Sequence, residues 1–351
     1  MKKVEEQNIQ RQSNFEFLRI LAIIMIIFHH IAVHGNFSNP DVTSYLFIVL
    51  MQMGGKIGVN IFILISGYFL IKSEKIKIKK ILKLWGQMFF YSLLIYIIFC
   101  VLGLIEFEIN SFTNALLPVL NETWWFATLY FILYLISPFL NMILRKIDKR
   151  IYSKIILLIL ITLCIIPIFE CEGNTLNSLI WFMTLYSISA YIKLYGDNWK
   201  ISSENCFIIL VIISFITYCV VSIFYMTSTY LFAMESLPIF LISLLLFLGF
   251  KNSNIKDNKF INKIASTTFG IYLIHDNVYI RLFLWNYIFK LNIYENDIVL
   301  IPYSILSCMI VFVVCSLIDL IRKYTIEKVY IKFINELEKS TKYLFFNKSN
   351  K

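Results

Sequence analysis

Ionisable side chains inside long apolar stretches are the residues of this chain most able to do chemistry, because placing them in a bilayer is costly. The stretch NFEFLRILAIIMIIFHHIAVHG, at 14–35, contains Arg19 and His30, which are 11 residues apart. On a helix they share one face and lie roughly 16 Å apart along its axis. A guanidinium can bind phosphate or pantetheine oxygens, and an imidazole can take a proton from a hydroxyl group. The alternative pairs Arg19 with Glu16 and makes His30 a hydrogen-bonding contact between helices.

A second histidine lies inside the apolar stretch STTFGIYLIHDNVYIRLFLW, at 266–285. His275 is about ten residues into the predicted span, so we expect its membrane depth to resemble that of His30. Either this histidine takes part in chemistry or it holds helices together. Asp276 and Arg281 follow it, and for these two a polar contact between helices is the favoured interpretation.

The stretch GKIGVNIFILISGYFLIKS, at 55–73, combines an amide with small residues. Asn60 and Gly67 are seven residues apart and share a face. Gly58, Ser66 and Gly67 allow another helix or a ligand to come close. The Asn60 amide needs a hydrogen-bonding partner in these surroundings.

Glu122, Trp124 and Trp125 open a further apolar stretch. Tryptophans at such a position are typical of the aromatic belt at a membrane interface. An aromatic pair beside a carboxylate can also hold a sugar ring. Both interpretations stay open.

The composition predicts the elements that must position these residues. Of the 351 residues, 59% are hydrophobic and only 15% are charged, with a mean hydropathy of +0.75. A soluble enzyme, a disordered chain and a disulfide scaffold are excluded. We predict an all-α, polytopic membrane bundle of about ten transmembrane helices, at 16–33, 57–71, 84–103, 124–141, 154–169, 179–195, 207–225, 231–250, 264–289 and 298–321. The apolar run at 45–53 is interpreted as a separate interfacial or re-entrant piece.

The basic residues predict the orientation of this bundle. With both termini in the cytoplasm, all but three of the 32 lysines and arginines lie on the cytoplasmic side. The net charge of +10 is therefore explained by topology, and nucleic acid is not expected as a partner. The loop at 75–83 is interpreted as a topology signal or as a landing surface for a polyanionic substrate such as a coenzyme phosphate. Apolar residues from Ile326 to Leu337 recur at helical spacing, which predicts an amphipathic helix on the inner membrane surface.

Together these segments resemble the bacterial acyltransferase-3 family, which are ten-helix membrane proteins that O-acylate surface glycans and some small molecules. The resemblance covers about 13–322. Four features carry it. An Arg and a His 11 residues apart are matched by Arg19 and His30, and a GV-D-LFF-SG pattern is matched by Gly58, Val59, Phe62, Ser66 and Gly67. A W-F-L-YL-P segment is matched by Trp125, Phe126, Leu129, Tyr134, Leu135 and Pro138, and a GIYLIH segment by 270–275.

The resemblance implies a cytoplasmic segment at 1–15, an acyltransferase-3-like membrane domain at 16–322 and a cytoplasmic amphipathic tail at 323–351. It implies a multi-pass protein of the bacterial cell membrane that transfers an acyl group, most simply acetyl from acetyl-CoA, to a sugar hydroxyl of an envelope glycan or its lipid-linked precursor. No tightly bound cofactor and no metal is expected, and homo-oligomerisation is left open.

The implied site residues fall into two groups. The catalytic candidates are His30, Arg19, Asn60 and His275, and the substrate-binding candidates are Ser66, Glu122, Trp124, Trp125 and Tyr272. Many relatives carry Asp where this chain has Asn60, and an amide can orient an imidazole but cannot supply a charge.

Two other classes of protein remain as alternatives. A glycan transporter or flippase would show helices broken near the midplane and inverted repeats. A polysaccharide polymerase would carry a long extracytoplasmic loop, and the longest loop expected on that side is 104–123.

Overall fold

In a computed structural model, residues 12–170, 178–196, 201–224, 233–332 and 334–336 of the protein are described. Within these ranges every regular element is helical. The α-helices in chain order are α1 Ser13–His34, α2 Val42–Leu70, α3 Ile78–Val101, α4 Ile109–Leu116, α5 Trp125–Leu144, α6 Lys149–Leu160, α7 Ile166–Glu170, α8 Ser178–Tyr195, α9 Ser203–Phe224, α10 Leu237–Lys251, α11 Lys259–Ala265, α12 Thr268–His275, α13 Val278–Phe283 and α14 Leu300–Tyr324. The all-α fold class is thereby confirmed.

Seven helices in the described part of the chain are long and apolar enough to span a membrane: Ser13–His34, Val42–Leu70, Ile78–Val101, Trp125–Leu144, Lys149–Ile168, Ser203–Val220 and Leu300–Glu336. Shorter apolar helices lie at Leu237–Lys251 and Val278–Phe289. A polytopic membrane bundle is therefore supported. The count of ten spans and the cytoplasmic location of both termini stay predictions.

The separate piece predicted at 45–53 is wrong, because this run is the first part of α2. The Asp41 side chain accepts a hydrogen bond from the Ser44 N–H at 2.7 Å and so caps a helix that continues to Leu70. Its 29 residues give a length of about 44 Å, which exceeds the ~30 Å hydrocarbon core. Gly54 and Gly55 do not interrupt it, since both face the neighbouring helix α1.

The span predicted as one unit at 264–289 is interrupted. Helix α12 ends at His275, and the Asn277 side chain accepts from the Tyr279 N–H to begin α13. A π-helix, Leu284–Phe289, continues from α13. The apolar pattern runs through the break, so it did not reveal that Asp276 lies between two helices.

Helices α1 and α2 form the centre of the bundle, and α1 also packs against α10, α11, α12 and α14. Glycines of α2 allow close contacts with its neighbours: a Cβ at Gly58 would overlap the Ala22 carbonyl of α1, and one at Gly67 would overlap the Tyr186 backbone in α8. The predicted close approach at Gly58 and Gly67 is confirmed. Because α1 is central, one of its faces can contribute to a cavity walled by several other helices.

Beyond α14 the chain is helical again at 326–332 and 334–336. A helix is confirmed over those residues, while Phe333 and Leu337 lie outside the described part, and its place on the inner membrane surface stays a prediction. One side of this tail helix, residues 326–332 and 334–336, touches α3: the Lys79 Nζ donates to Asn335 Oδ1 at 2.9 Å, and the Tyr330 ring packs near Gly86.

Candidate functional site

One face of α1 connects a cavity to a buried histidine. Arg19, Ile23 and Ile26 all line the cavity, and His30 follows one turn beyond Ile26. These positions are separated by four, three and four residues, which is the spacing of a single helix face. The shared face expected for Arg19 and His30 is confirmed.

The cavity has a volume of about 410 Å³ and is walled by α1, α2, α3, α5 and α12, with α14 contributing at one end. Its polar end carries four cationic side chains and its other end is aromatic. The cations are Arg19, Lys80, Lys83 and Lys323, and the aromatic side chains include Phe62, Phe126, Tyr130 and Tyr272. Such a gradient suits an elongated ligand with an anionic head and a less polar tail.

Three predicted site residues meet at this cavity. Arg19 lies at the basic end and also forms an ion pair with Glu16 at 3.1 Å, so the two interpretations of Arg19 hold together. Ser66 lines the wall, where its hydroxyl donates to the Phe62 carbonyl at 2.8 Å. Tyr272 lies in the aromatic part, with its ring edge against Phe126.

Three other predicted residues do not line this cavity. Glu122 is exposed and adopts a left-handed backbone conformation, with φ of 48°, just before α5. Trp124 is buried, and the Trp125 ring is partly exposed and contacts Phe182. The residue that does reach the cavity from this segment is Phe126.

The sequence reasoning missed the contribution of α3. Lys80, Lys83, Leu84 and Gln87 line the cavity, and their spacing of three, one and three residues is again one helix face. The sequence indicates a polyanion-binding loop at 75–83 as a whole. The helical spacing at the end of this loop is the feature that could have shown which of its lysines line the cavity. Lys83 is thus a cavity residue and not only a topology signal.

A pair of buried imidazoles lies one helical turn beyond the cavity wall. His30 Nδ1 and His275 Nε2 are 2.9 Å apart. His30 is 8% exposed and His275 is fully buried. Tyr272 and His275 are three residues apart on α12, so both α1 and α12 carry the cavity wall at one level and a histidine one turn further on.

The hydrogen bonds of this histidine pair determine which nitrogen is basic. His275 Nδ1 lies 2.6 Å from the Ile271 carbonyl oxygen, which can only accept, so this nitrogen carries the proton. In the neutral ring, Nε2 of His275 is then an acceptor, and His30 Nδ1 must donate to it. The remaining nitrogen, His30 Nε2, therefore has a free lone pair and is the base of the pair.

Asp276 faces this basic nitrogen from the break between α12 and α13. Its Oδ1 lies 3.6 Å from His30 Nε2 and 3.3 Å from an Arg281 nitrogen. The contact with Arg281 agrees with the favoured interpretation of these two residues. The carboxylate can also stabilise an imidazolium once His30 has taken up a proton.

Comparison with known proteins shows the family of the chain. A family model described as an acyltransferase domain, Acyl_transf_3, matches residues 12–320 and thus includes every helix from α1 to α13. The chain belongs to the acyltransferase-3 family. No curated protein and no solved structure matches it significantly. The family and the long apolar helices make the protein a membrane acyltransferase.

Asn60 of this acyltransferase forms its hydrogen bonds with residues other than the two histidines. Its amide donates to the Met234 carbonyl at 2.9 Å, and its oxygen accepts from the Trp181 indole at 3.0 Å. Asn60 is fully buried and also contacts Ser243. These contacts join α2 to α8 and α10, so the amide is engaged between helices and not with an imidazole.

Proposed function

We propose that this membrane acyltransferase transfers an acetyl group from cytoplasmic acetyl-CoA to a sugar hydroxyl of an envelope glycan or its lipid-linked precursor. The supporting observation is the cavity whose basic end holds Arg19 and whose aromatic end stops one helical turn short of His30. The basic end suits the phosphates of the donor. The aromatic end suits the pantetheine arm that presents the thioester to the base.

His30 Nε2 is the general base in this proposal. It takes the proton of the acceptor hydroxyl as the oxygen attacks the thioester carbonyl. The tetrahedral intermediate collapses with cleavage of the carbon–sulfur bond, and the imidazolium returns the proton to the CoA thiolate. The products are an O-acetyl ester and CoA, and the enzyme ends in its starting protonation state.

The same nitrogen would be the nucleophile if His30 accepted the acetyl group first. The two routes differ in one observable. Incubating the purified protein with labelled acetyl-CoA and no acceptor labels the protein only in the acyl-enzyme route.

The function is tested by comparing the surface glycan of cells with and without this gene by NMR. The proposal expects base-labile O-acetyl groups to disappear while the chain length stays the same. A change in chain length or a loss of glycan export, with acetylation intact, would favour the polymerase or transporter alternatives. The interrupted helix at Asp276, a feature typical of transporters, makes this comparison necessary.

A further inference from the structure

A buried ionic network lies behind the basic end of the cavity. Asp319 of α14 is fully buried and accepts hydrogen bonds through Oδ1 from three side chains. The donors are Gln87 at 3.1 Å, Tyr91 at 2.8 Å and Arg322 at 2.8 Å. Two of them belong to α3, so Asp319 joins α14 to the wall that carries the cavity lysines.

The network continues into the tail helix. Arg322 also donates to Glu327 Oε2 at 2.9 Å, and both side chains are almost fully buried. The other Glu327 oxygen pairs with the Lys83 ammonium. A carboxylate of the tail therefore holds a cation of the cavity mouth.

Two walls of the cavity, α3 and α12, meet at this network. Gln87 and Lys83 line the cavity from α3. Gly270 of α12 has no room for a Cβ because the Asp319 side chain occupies that space. Helix α12 carries Tyr272, so the network also fixes the aromatic wall.

The geometry leaves Lys83 able to bind an anion. A lysine ammonium has three N–H donors, and Glu327 uses only part of this capacity. The Lys83 side chain is 42% exposed, whereas that of Glu327 is 4% exposed. Lys83 can therefore contact a phosphate in the cavity while its position is set from behind.

We propose that Glu327 is a positioning residue for the donor, which acts through Lys83 to hold an ammonium where a donor phosphate binds. The tail helix then forms part of the donor site although it does not line the cavity. This inference rests on the proposed function for the phosphate-bearing donor, and it adds the partner group that the cavity itself does not contain.

The test measures binding, so it does not depend on turnover. The dissociation constant of CoA is measured by calorimetry on the purified full-length protein in detergent, and that of pantetheine, which lacks every phosphate of CoA, is measured by competition. The variants are Lys83→Met and Glu327→Gln, and both leave Arg322 in place to pair with Asp319. Lys328→Met is the matched control, because Lys328 is exposed, lies over the Tyr324 ring and is not part of the cavity wall.

We expect CoA to bind about tenfold more weakly to Lys83→Met and about fivefold more weakly to Glu327→Gln. Lys328→Met should bind CoA like the wild type, and pantetheine should bind equally to all four proteins. Unchanged CoA binding in Glu327→Gln, or an equal loss of pantetheine binding, would overturn the inference, as would a wild type that binds no CoA. Normal CoA binding without acyl transfer would instead refute the proposed function.

Discussion

Replacing His275 by leucine removes the acceptor that determines which nitrogen of His30 is basic. In the wild type the Ile271 carbonyl fixes the His275 tautomer, and His275 Nε2 then accepts from His30 Nδ1 at 2.9 Å. Without that acceptor, the two tautomers of His30 compete, and the Nδ1 proton is buried without a partner. The base should therefore work more slowly even though His30 itself is unchanged.

The size of the effect follows from the charge that develops on His30. A hydrogen bond to a neutral donor contributes about 1 kcal/mol, and one to a charged donor contributes about 1.5–3 kcal/mol. The imidazolium forms during the reaction, so the bond to His275 strengthens by about 0.5–2 kcal/mol at the transition state. With 1.36 kcal/mol per tenfold change in rate, and the loss of the tautomer preference added, we expect kcat to fall about 10- to 100-fold.

The assay is acetyl transfer from labelled acetyl-CoA by purified protein at saturating donor. His275→Gln is the matched variant, because its amide oxygen can still accept from His30. We expect it to lose less activity than His275→Leu. In a His30→Ala background, adding His275→Leu should not lower kcat further, since the two residues act as a unit.

Two results would refute this reasoning. One is equal activity of the glutamine and leucine variants, which would mean that the acceptor is irrelevant. The other is a further loss in the double variant as large as the loss in the single one. In that case His275 would act independently of His30.

Three further substitutions test the site and its supports. Gly270→Ala places a Cβ in the space of Asp319. We expect the free energy of unfolding to fall by about 1–3 kcal/mol, seen as a lower Tm in detergent, and an unchanged Tm would contradict the packing. Asn60→Asp removes the N–H donor to Met234. We expect the free energy of unfolding to fall by about 1–3 kcal/mol, again seen as a lower Tm. A stabilised protein would show that the amide contact is unimportant. Arg19→Gln should weaken CoA binding about tenfold in calorimetry, and wild-type affinity would exclude Arg19 from the donor site.

Periodicity predicted the parts of the structure that depend on one helix at a time. The common face of Arg19 and His30 is a property of α1 alone, and the common face of Asn60 and Gly67 is a property of α2 alone. Both followed from the spacing of residues along a helix. The helical class followed from composition, because so much apolar surface must be removed from water.

Features that depend on contacts between distant segments were not predictable from spacing. The bond between His30 and His275 joins residues 245 positions apart, and the sequence indicated only that their depths were similar. The break at Asp276 was hidden, because the apolar pattern continues across it. The partners of Asn60 lie on α8 and near α10, so its engagement between helices could be seen only once those helices were placed.

The most direct test of His30 as the catalytic base compares two neighbouring histidines. His30→Ala and His29→Ala are adjacent substitutions in α1, but His29 points to α2, where its Nδ1 donates to the Gln52 carbonyl at 2.7 Å. The measurement is the rate of acetyl transfer by each purified protein at saturating acetyl-CoA. We expect the rate of transfer to fall about 10²–10⁴-fold in His30→Ala and to stay near that of the wild type in His29→Ala. Near wild-type transfer by His30→Ala would contradict the assignment of His30 Nε2 as the catalytic base.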